Sequence, residues 1–96
     1  PHRRVLISRW DAAQHQIAAL ASKGEDPMPT DAALGFDQVS PLTRGAVPRG
    51  RTVLLDFDLE PGPGHYAGEH YSHLALHVPL LYHGRILCNL SLYDPP

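Results

Sequence analysis

The sequence predicts a small two-layer α+β domain, in which one main helix lies on a mostly antiparallel sheet of about four strands in the order β-α-β-β-β. Three observations support this fold class: a one-sided apolar stripe at helical spacing over 12–22, alternation over 51–60 with Leu54 as its exception, and two alternating runs joined by a short turn over 72–93. The 96 residues suffice for one domain, 1–96, and for no second core.

The first two predicted elements are a strand, Val5–Trp10, and the helix, Ala12–Ser22. Asp11 is a residue type that caps helices, and Gln14 occupies the position at which a capping box places a glutamine or glutamate. Gly24 is typical of a helix end. Because the apolar residues of the segment lie on one side, we expect this helix to cover a sheet.

Segment 24–50 is predicted to be mostly a long loop or lid, because proline and glycine recur along it. Within it, Thr30 is suited to cap a single helical turn over Asp31–Leu34 that Gly35 ends. A connection of this length in a compact domain is functional, disordered or a sign of a misassigned element.

The last two strands are predicted to form a hairpin, and its register follows from side-chain pairing. A two-residue turn at 83–84 would pair Leu80 with Leu87 and set polar residues opposite apolar ones. A three-residue turn at 82–84 pairs Leu80 with Ile86 and makes one face wholly apolar. We therefore predict the three-residue turn.

This register assigns the two faces of the hairpin. The even-numbered apolar residues from Leu74 onward, together with Cys88 as an inert core thiol, are expected to face the helix. The opposite face would carry His73, His77, Asn89, Ser91 and Tyr93. Because Pro79 cannot donate a ladder hydrogen bond, its strand is expected to be an edge or to be bulged there.

Composition and charge exclude several function classes. Eight basic and ten acidic side chains give a net charge of −2, which argues against a nucleic-acid partner. No apolar run reaches the length of about 20 residues that a membrane span needs, so we expect no membrane association. A single cysteine is typical of a reducing compartment, and the predicted location is the cytoplasm.

Seven histidines are unusual in so short a chain, and several fall within 64–73. Neutral imidazole and carboxylate bind divalent transition metals such as zinc. The candidate metal ligands are His65, Glu69, His70 and His73, and Asp56 or Asp58 could complete a site if its strand lies beside that of His73. No His-Glu-x-x-His motif and no paired-cysteine spacing accompanies them, and solvent-exposed histidines and tyrosines are the simpler explanation of the segment.

Sequence patterns of nucleophile elbows, phosphate loops and dinucleotide sites are absent from the chain. The leading hypothesis is therefore a small non-enzymatic interaction module, such as an adaptor, an inhibitor or a subunit of a larger complex, whose partner is another protein or a second copy. Its binding surface would combine an edge strand, the proline-rich loop and a mixed sheet face that carries Leu54, Leu81, Leu87, Tyr93 and His77. The alternatives are a metal-binding protein or small metal-dependent enzyme that uses the histidine-rich segment 65–77, and a binder whose affinity changes as its imidazoles titrate.

Overall fold

The computed structural model describes residues 3–24, 27, 33–59 and 73–94. The described residues form six strands and a short helical region. The strands are β1 (Arg4–Asp11), β2 (Gln16–Gly24), β3 (Ala33–Gly35), β4 (Val53–Asp56), β5 (Leu74–Tyr82) and β6 (Arg85–Tyr93). The helix α1 (Pro41–Ala46) continues directly into a 3-10 turn, Val47–Arg49, and a further 3-10 turn spans Phe36–Gln38.

All six strands belong to one antiparallel sheet in the order β3-β2-β1-β6-β5-β4, and the sheet curls into a half-barrel. The predicted fold class, one main helix on a sheet of four strands, is therefore wrong. Two predicted elements account for the difference: the helix over 12–22 and the loop over 24–50.

The segment predicted as the main helix is a turn followed by β2. The Asp11 carboxylate accepts hydrogen bonds from the amides of Ala13 and Gln14 at 3.0 and 3.1 Å, and His15 then takes a positive φ of 52°. An aspartate can cap a tight turn in the same way as it caps a helix, so the local signal does not distinguish the two. Pairing with β1, which sets Ile17 opposite Trp10, decides for the strand.

The predicted loop over 24–50 contains regular structure. Ala33–Gly35 forms β3 against β2, whereas Thr30, Asp31 and Ala32 of the predicted helical turn lie outside the described residues. Residues 41–49, which we call the helical segment, follow Ser40. Ser40 acts as the N-cap by accepting the Thr43 amide at 3.2 Å, and Pro41 occupies the first turn, where a missing amide costs nothing. Across the described ranges, no helix is both long and apolar enough to cross a bilayer.

The strand predicted over 51–60 is shorter than expected. β4 ends at Asp56, whose carboxylate accepts the Asp58 amide at 3.0 Å and so turns the chain. Leu55 is buried, and Val53 and Phe57 pack against the core as the alternation predicts. Leu59, assigned to the same apolar face, lies exposed in the turn.

The C-terminal hairpin lies where the alternation predicts it, but the predicted turn and register are wrong. His83 and Gly84 form a two-residue turn, both with positive φ as a type I′ turn requires. A bulge between Leu80 and Leu81 then shifts the pairing, so that Leu80 lies opposite Cys88 rather than Ile86. One inserted residue thus reconciles a short turn with a uniformly apolar face. Pro79 lies beyond the described pairings of β4 and next to this bulge, as its missing donor predicts.

The two faces of the C-terminal hairpin are reversed relative to the prediction. The buried face, which we call the inner face, carries Leu6 and Trp10 of β1, Ile17 of β2 and Leu55 of β4, and the helical segment packs on it through Thr43 and Val47. In the part of the hairpin on the far side of the bulge from the turn, the odd-numbered residues lie on this inner face, including Ala75, His77, Asn89, Ser91 and Tyr93. The expectation that even-numbered leucines point inward and His77 points outward is therefore wrong.

Candidate functional site

The face of the sheet turned away from the helical segment is a continuous apolar surface. Strand pairing sets Leu54 of β4 beside Leu76 of β5, Leu76 beside Leu92 of β6, and Leu92 beside Val5 of β1. A second row runs through Val78, Leu90 and Ile7, and Leu80 and Cys88 form a third pair. We call these nine residues the outer apolar face. Because neighbours in a row are cross-strand pairs, their side chains lie beside one another, and the first row spans all four strands.

The outer apolar face is accessible. Leu54 is 62% exposed, Leu80 42% and Val5 40%, and the other six residues are half-buried. Charged residues lie at its border: Lys23 pairs with Val5 at one side, and Asp56 pairs with Leu74 at another. A central apolar area with charges at its margin is the composition of a protein interface.

The residues predicted to bind a partner fall into two groups. Leu54, Leu81 and Leu87 are exposed. Leu81 also lies against Gly50, which follows the helical segment, because a Cβ at Gly50 would be 2.9 Å from Leu81 Cδ1. Tyr93 and His77 are buried on the inner face, so neither presents a surface to a partner. The structure therefore separates residues that the predicted register placed together.

The inner face contains a hydrogen-bonded polar cluster directly beneath the helical segment. Nδ1 of His77 lies 2.8 Å from Oγ of Ser91 and 3.2 Å from Nδ2 of Asn89, and this amide also donates to Ser91 at 3.0 Å. Ser8, the cross-strand partner of Asn89, accepts a hydrogen bond from Trp10 Nε1 at 3.2 Å.

The cluster contains a serine and a histidine, the residue types of a catalytic nucleophile and its base, but the similarity ends there. Ser91, His77 and Asn89 are each fully buried, and neither the 450 Å³ nor the 130 Å³ cavity of the described chain is lined by them. A catalytic serine and histidine need access to a reacting carbonyl. The arrangement instead satisfies polar groups that face the interior, except Asn89 Oδ1, which has no hydrogen-bond partner among the described residues.

One of the predicted metal ligands lies beside a carboxylate. His73 Nδ1 is 3.2 Å from Asp58 Oδ2, and both side chains are more than half exposed. The predicted ligands His65, Glu69 and His70 lie outside the described residues, and within the described ranges no three histidine, cysteine or carboxylate side chains are grouped as metal ligands. The carboxylate of Asp56 is 3.0 Å from the Asp58 amide, so it stabilises the turn that presents Asp58.

Cys88, expected in the core, is half-buried on the outer apolar face opposite Leu80. Its thiol is free, and Cys88 is not among the buried residues of the hydrophobic core. It contributes apolar surface rather than core volume.

Comparisons with known proteins add no assignment at this point. No protein-family model matches the chain, and no match was found among curated proteins or solved structures. Functional inference therefore rests on the surfaces described above.

Sequence reasoning missed the outer apolar face although it grouped most of its members correctly. The alternation of Leu74, Leu76, Val78 and Leu80 shows that these residues share a face, and it does not show which face is covered. A signal that could have found the reversal is the small size of the opposite set, since Ala75, Ser91 and Asn89 leave room for a covering segment.

Proposed function

We propose that this protein is a non-enzymatic interaction module that binds another protein, or a second copy of itself, through the outer apolar face. The observation that supports this proposal is the unbroken row of cross-strand neighbours Leu54, Leu76, Leu92 and Val5, with the Val78–Leu90 pair next to it. Soluble monomers rarely leave an apolar patch of more than a few hundred Å² uncovered.

The charged border supports a specific rather than a general apolar contact. Lys23 and Asp56 carry opposite charges at separate margins of the face, so a partner must align its own charges as well as its apolar area. The central pair, Val78 and Leu90, is half-buried by its neighbours and would be fully covered by a flat partner surface. Such central positions carry most of the affinity in protein interfaces.

A pair of leucine substitutions tests this proposal. Leu54 lies on the outer apolar face and Leu59 lies in the turn after β4, and both are well exposed. We expect Leu54→Asp to weaken association at least tenfold, because a carboxylate would lose its water in the interface, whereas Leu59→Asp should leave association unchanged. Sedimentation equilibrium measures self-association, and co-purification from the source cells followed by mass spectrometry measures binding of a specific partner.

The fold of both variants is checked by circular dichroism, so that loss of association is not confused with unfolding. A result in which Leu54→Asp and Leu59→Asp associate equally well with the same partner, or in which the unsubstituted protein is monomeric and retains no partner, would overturn the proposal.

A metal-binding function is the second candidate, and the contact between His73 and Asp58 is the observation that favours it. Protein purified without a histidine tag would be analysed for zinc, iron, nickel and manganese. Stoichiometric metal that is lost in His70→Ala and retained in His83→Ala, an exposed histidine of the hairpin turn, supports this candidate. Absence of metal in the unsubstituted protein removes it.

The cytoplasm is proposed as the compartment, because the one cysteine is a free thiol that no intramolecular disulfide can protect. Fluorescence microscopy of the tagged chain in its source cells checks this location. Accumulation outside the cytoplasm would contradict it.

A further inference from the structure

A cavity of about 450 Å³ lies at the end of the sheet where β1 begins and β2 and β6 end. Its walls include Val5, Leu92 and Tyr93, and the aliphatic parts of Arg3, Arg4 and Lys23 complete them. Ligand pockets in proteins commonly measure about 300–1,000 Å³ and have mostly apolar walls. The size and the lining of this cavity therefore suit a small ligand with an apolar body.

The backbone at this end of the sheet is tightly packed. Gly24 has a φ of +118°, and a Cβ there would lie 2.6 Å from the Arg3 carbonyl oxygen. A glycine is therefore required where β2 passes the start of β1. The backbones of Gly24 and Arg3 are therefore in close contact at this edge of the cavity, next to Lys23.

The charges around the cavity are predominantly positive. Arg3 and Lys23 are exposed, and the buried Arg4 places its guanidinium 4.8 Å from the centre of the Tyr93 ring. Asp94, the one carboxylate among the described lining residues, accepts the amides of His73 and Leu74 at 2.8 and 2.9 Å. Among the described residues of the lining, three cations accompany one carboxylate, and Arg3 and Lys23 are the exposed cations.

An apolar track extends from the cavity along the sheet. A second cavity of about 130 Å³ is lined by Ile7, Ala21 and Ser22, and it shares Val5 and Lys23 with the first. The two cavities are therefore neighbours: Lys23 borders both, Arg3 and Arg4 border only the first, and Ile7 and Ala21 extend the apolar wall.

From this shape and charge we infer that the cavity binds a free aliphatic carboxylate of medium chain length. The carboxylate lies between Arg3 and Lys23, and the chain lies against Val5 and Leu92 and extends towards Ile7. This site goes beyond the proposed interaction function, but it shares Val5, Ile7 and Leu92 with the outer apolar face. Val78 and Leu90, at the centre of that face, do not line it.

Titration with decanoate below its micelle concentration, followed by ¹H–¹⁵N correlation spectra, tests the inference. We expect saturable shifts of the amides of Val5, Lys23, Gly24 and Leu92. Decan-1-ol has the same chain without the charge and should bind at least fivefold more weakly, and acetate, which has the charge without the chain, should cause no shifts. Increasing the salt concentration should weaken decanoate binding, because Arg3 and Lys23 are exposed to solvent.

Substitutions locate the two parts of the site. Arg3→Gln and Lys23→Gln should each weaken decanoate binding about two- to fivefold, as expected for exposed charges. Val5→Asp should weaken it at least tenfold, because it places a carboxylate on the apolar wall. Arg85→Gln, at the opposite end of β6, is the matched control and should leave binding unchanged. The same spectra show whether each variant is folded.

Three results would overturn the inference. Equal affinity for decanoate and decan-1-ol would show that the cations do not recognise the head group. Shifts centred on Val78 and Leu90 would place the chain elsewhere. Binding to phosphatidylglycerol vesicles without any response to monomeric decanoate would assign the positive charge to a lipid surface rather than to a free carboxylate.

Discussion

The buried imidazole of His77 illustrates how single residues specify the interior of this sheet. It lies opposite Ser91 in the ladder and within hydrogen-bond distance of both Ser91 and Asn89. Removing these polar groups from water has a cost, and mutual hydrogen bonds offset it only when each group keeps its partner. The Ser91 hydroxyl contacts both of the others, so the cluster depends on it.

Ser91→Ala is expected to lower the free energy of unfolding by about 1–3 kcal/mol, because it removes one partner each from His77 and Asn89 in a site without water access. Urea denaturation followed by tryptophan fluorescence measures the change. Thr52→Ala removes a hydroxyl from an exposed position and should change stability by less than about 0.5 kcal/mol. Similar changes in the two variants would contradict a stabilising role for the cluster.

Turn chemistry at the scale of elements determines the register of the C-terminal hairpin. His83 and Gly84 both adopt positive φ, at 51° and 74°. The bulge between Leu80 and Leu81 then restores the apolar pairing. Gly84 accepts this conformation without strain, whereas a histidine at φ of 51° does so at a cost. The hairpin therefore forms despite an unfavourable first turn residue.

Two substitutions of His83 are expected to change the stability of the protein in opposite directions. His83→Asn should stabilise the protein by about 0.5 kcal/mol, because asparagine favours the first position of a type I′ turn. His83→Val should destabilise it by about 1 kcal/mol, because a β-branched residue tolerates positive φ poorly. Thermal unfolding ranks the three proteins, and the reverse order would show that the turn is not of this type.

At the scale of the whole molecule, the helical segment decides which face of the sheet is the interior. Thr43 and Val47 are fully buried against the inner face, and the outer apolar face remains accessible. In the hairpin, the buried side therefore carries the polar His77, Asn89 and Ser91, whereas the accessible side carries leucine and valine side chains, which is the reverse of the usual division. This reversal is the basis of the proposed interaction function.

Two truncations in the helical segment test this arrangement. Val47→Ala should cost about 1–3 kcal/mol, because it leaves a cavity between the segment and the sheet. Leu42→Ala removes a larger side chain from a position that is 48% exposed, and it should cost less than about 0.5 kcal/mol. Chemical denaturation of both variants measures the difference. A greater loss from Leu42→Ala would show that this segment covers the sheet through its other side.

Several elements could be predicted from the sequence because their signals are local. The alternation over β4, β5 and β6 marks strands, and Gly84 marks a turn between two of them. The helix predicted after Asp11 is wrong, because a helix N-terminus and a hairpin turn share the same hydrogen bonds from an aspartate to the following amides. Pairing of β2 with the nearby β1 selects the hairpin. The other side of β1 pairs with β6, which is distant along the chain.

The candidate site shows the same division. Alternation by itself determined that Leu74, Leu76, Val78 and Leu80 share one face and that His77, with Ser91 and Asn89, belongs to the other. Tertiary structure alone decided that the helical segment covers the polar set and leaves the leucines accessible. The physical reason is that a strand pattern has two faces related by symmetry of the backbone, and only a segment packed on one of them makes that face the interior.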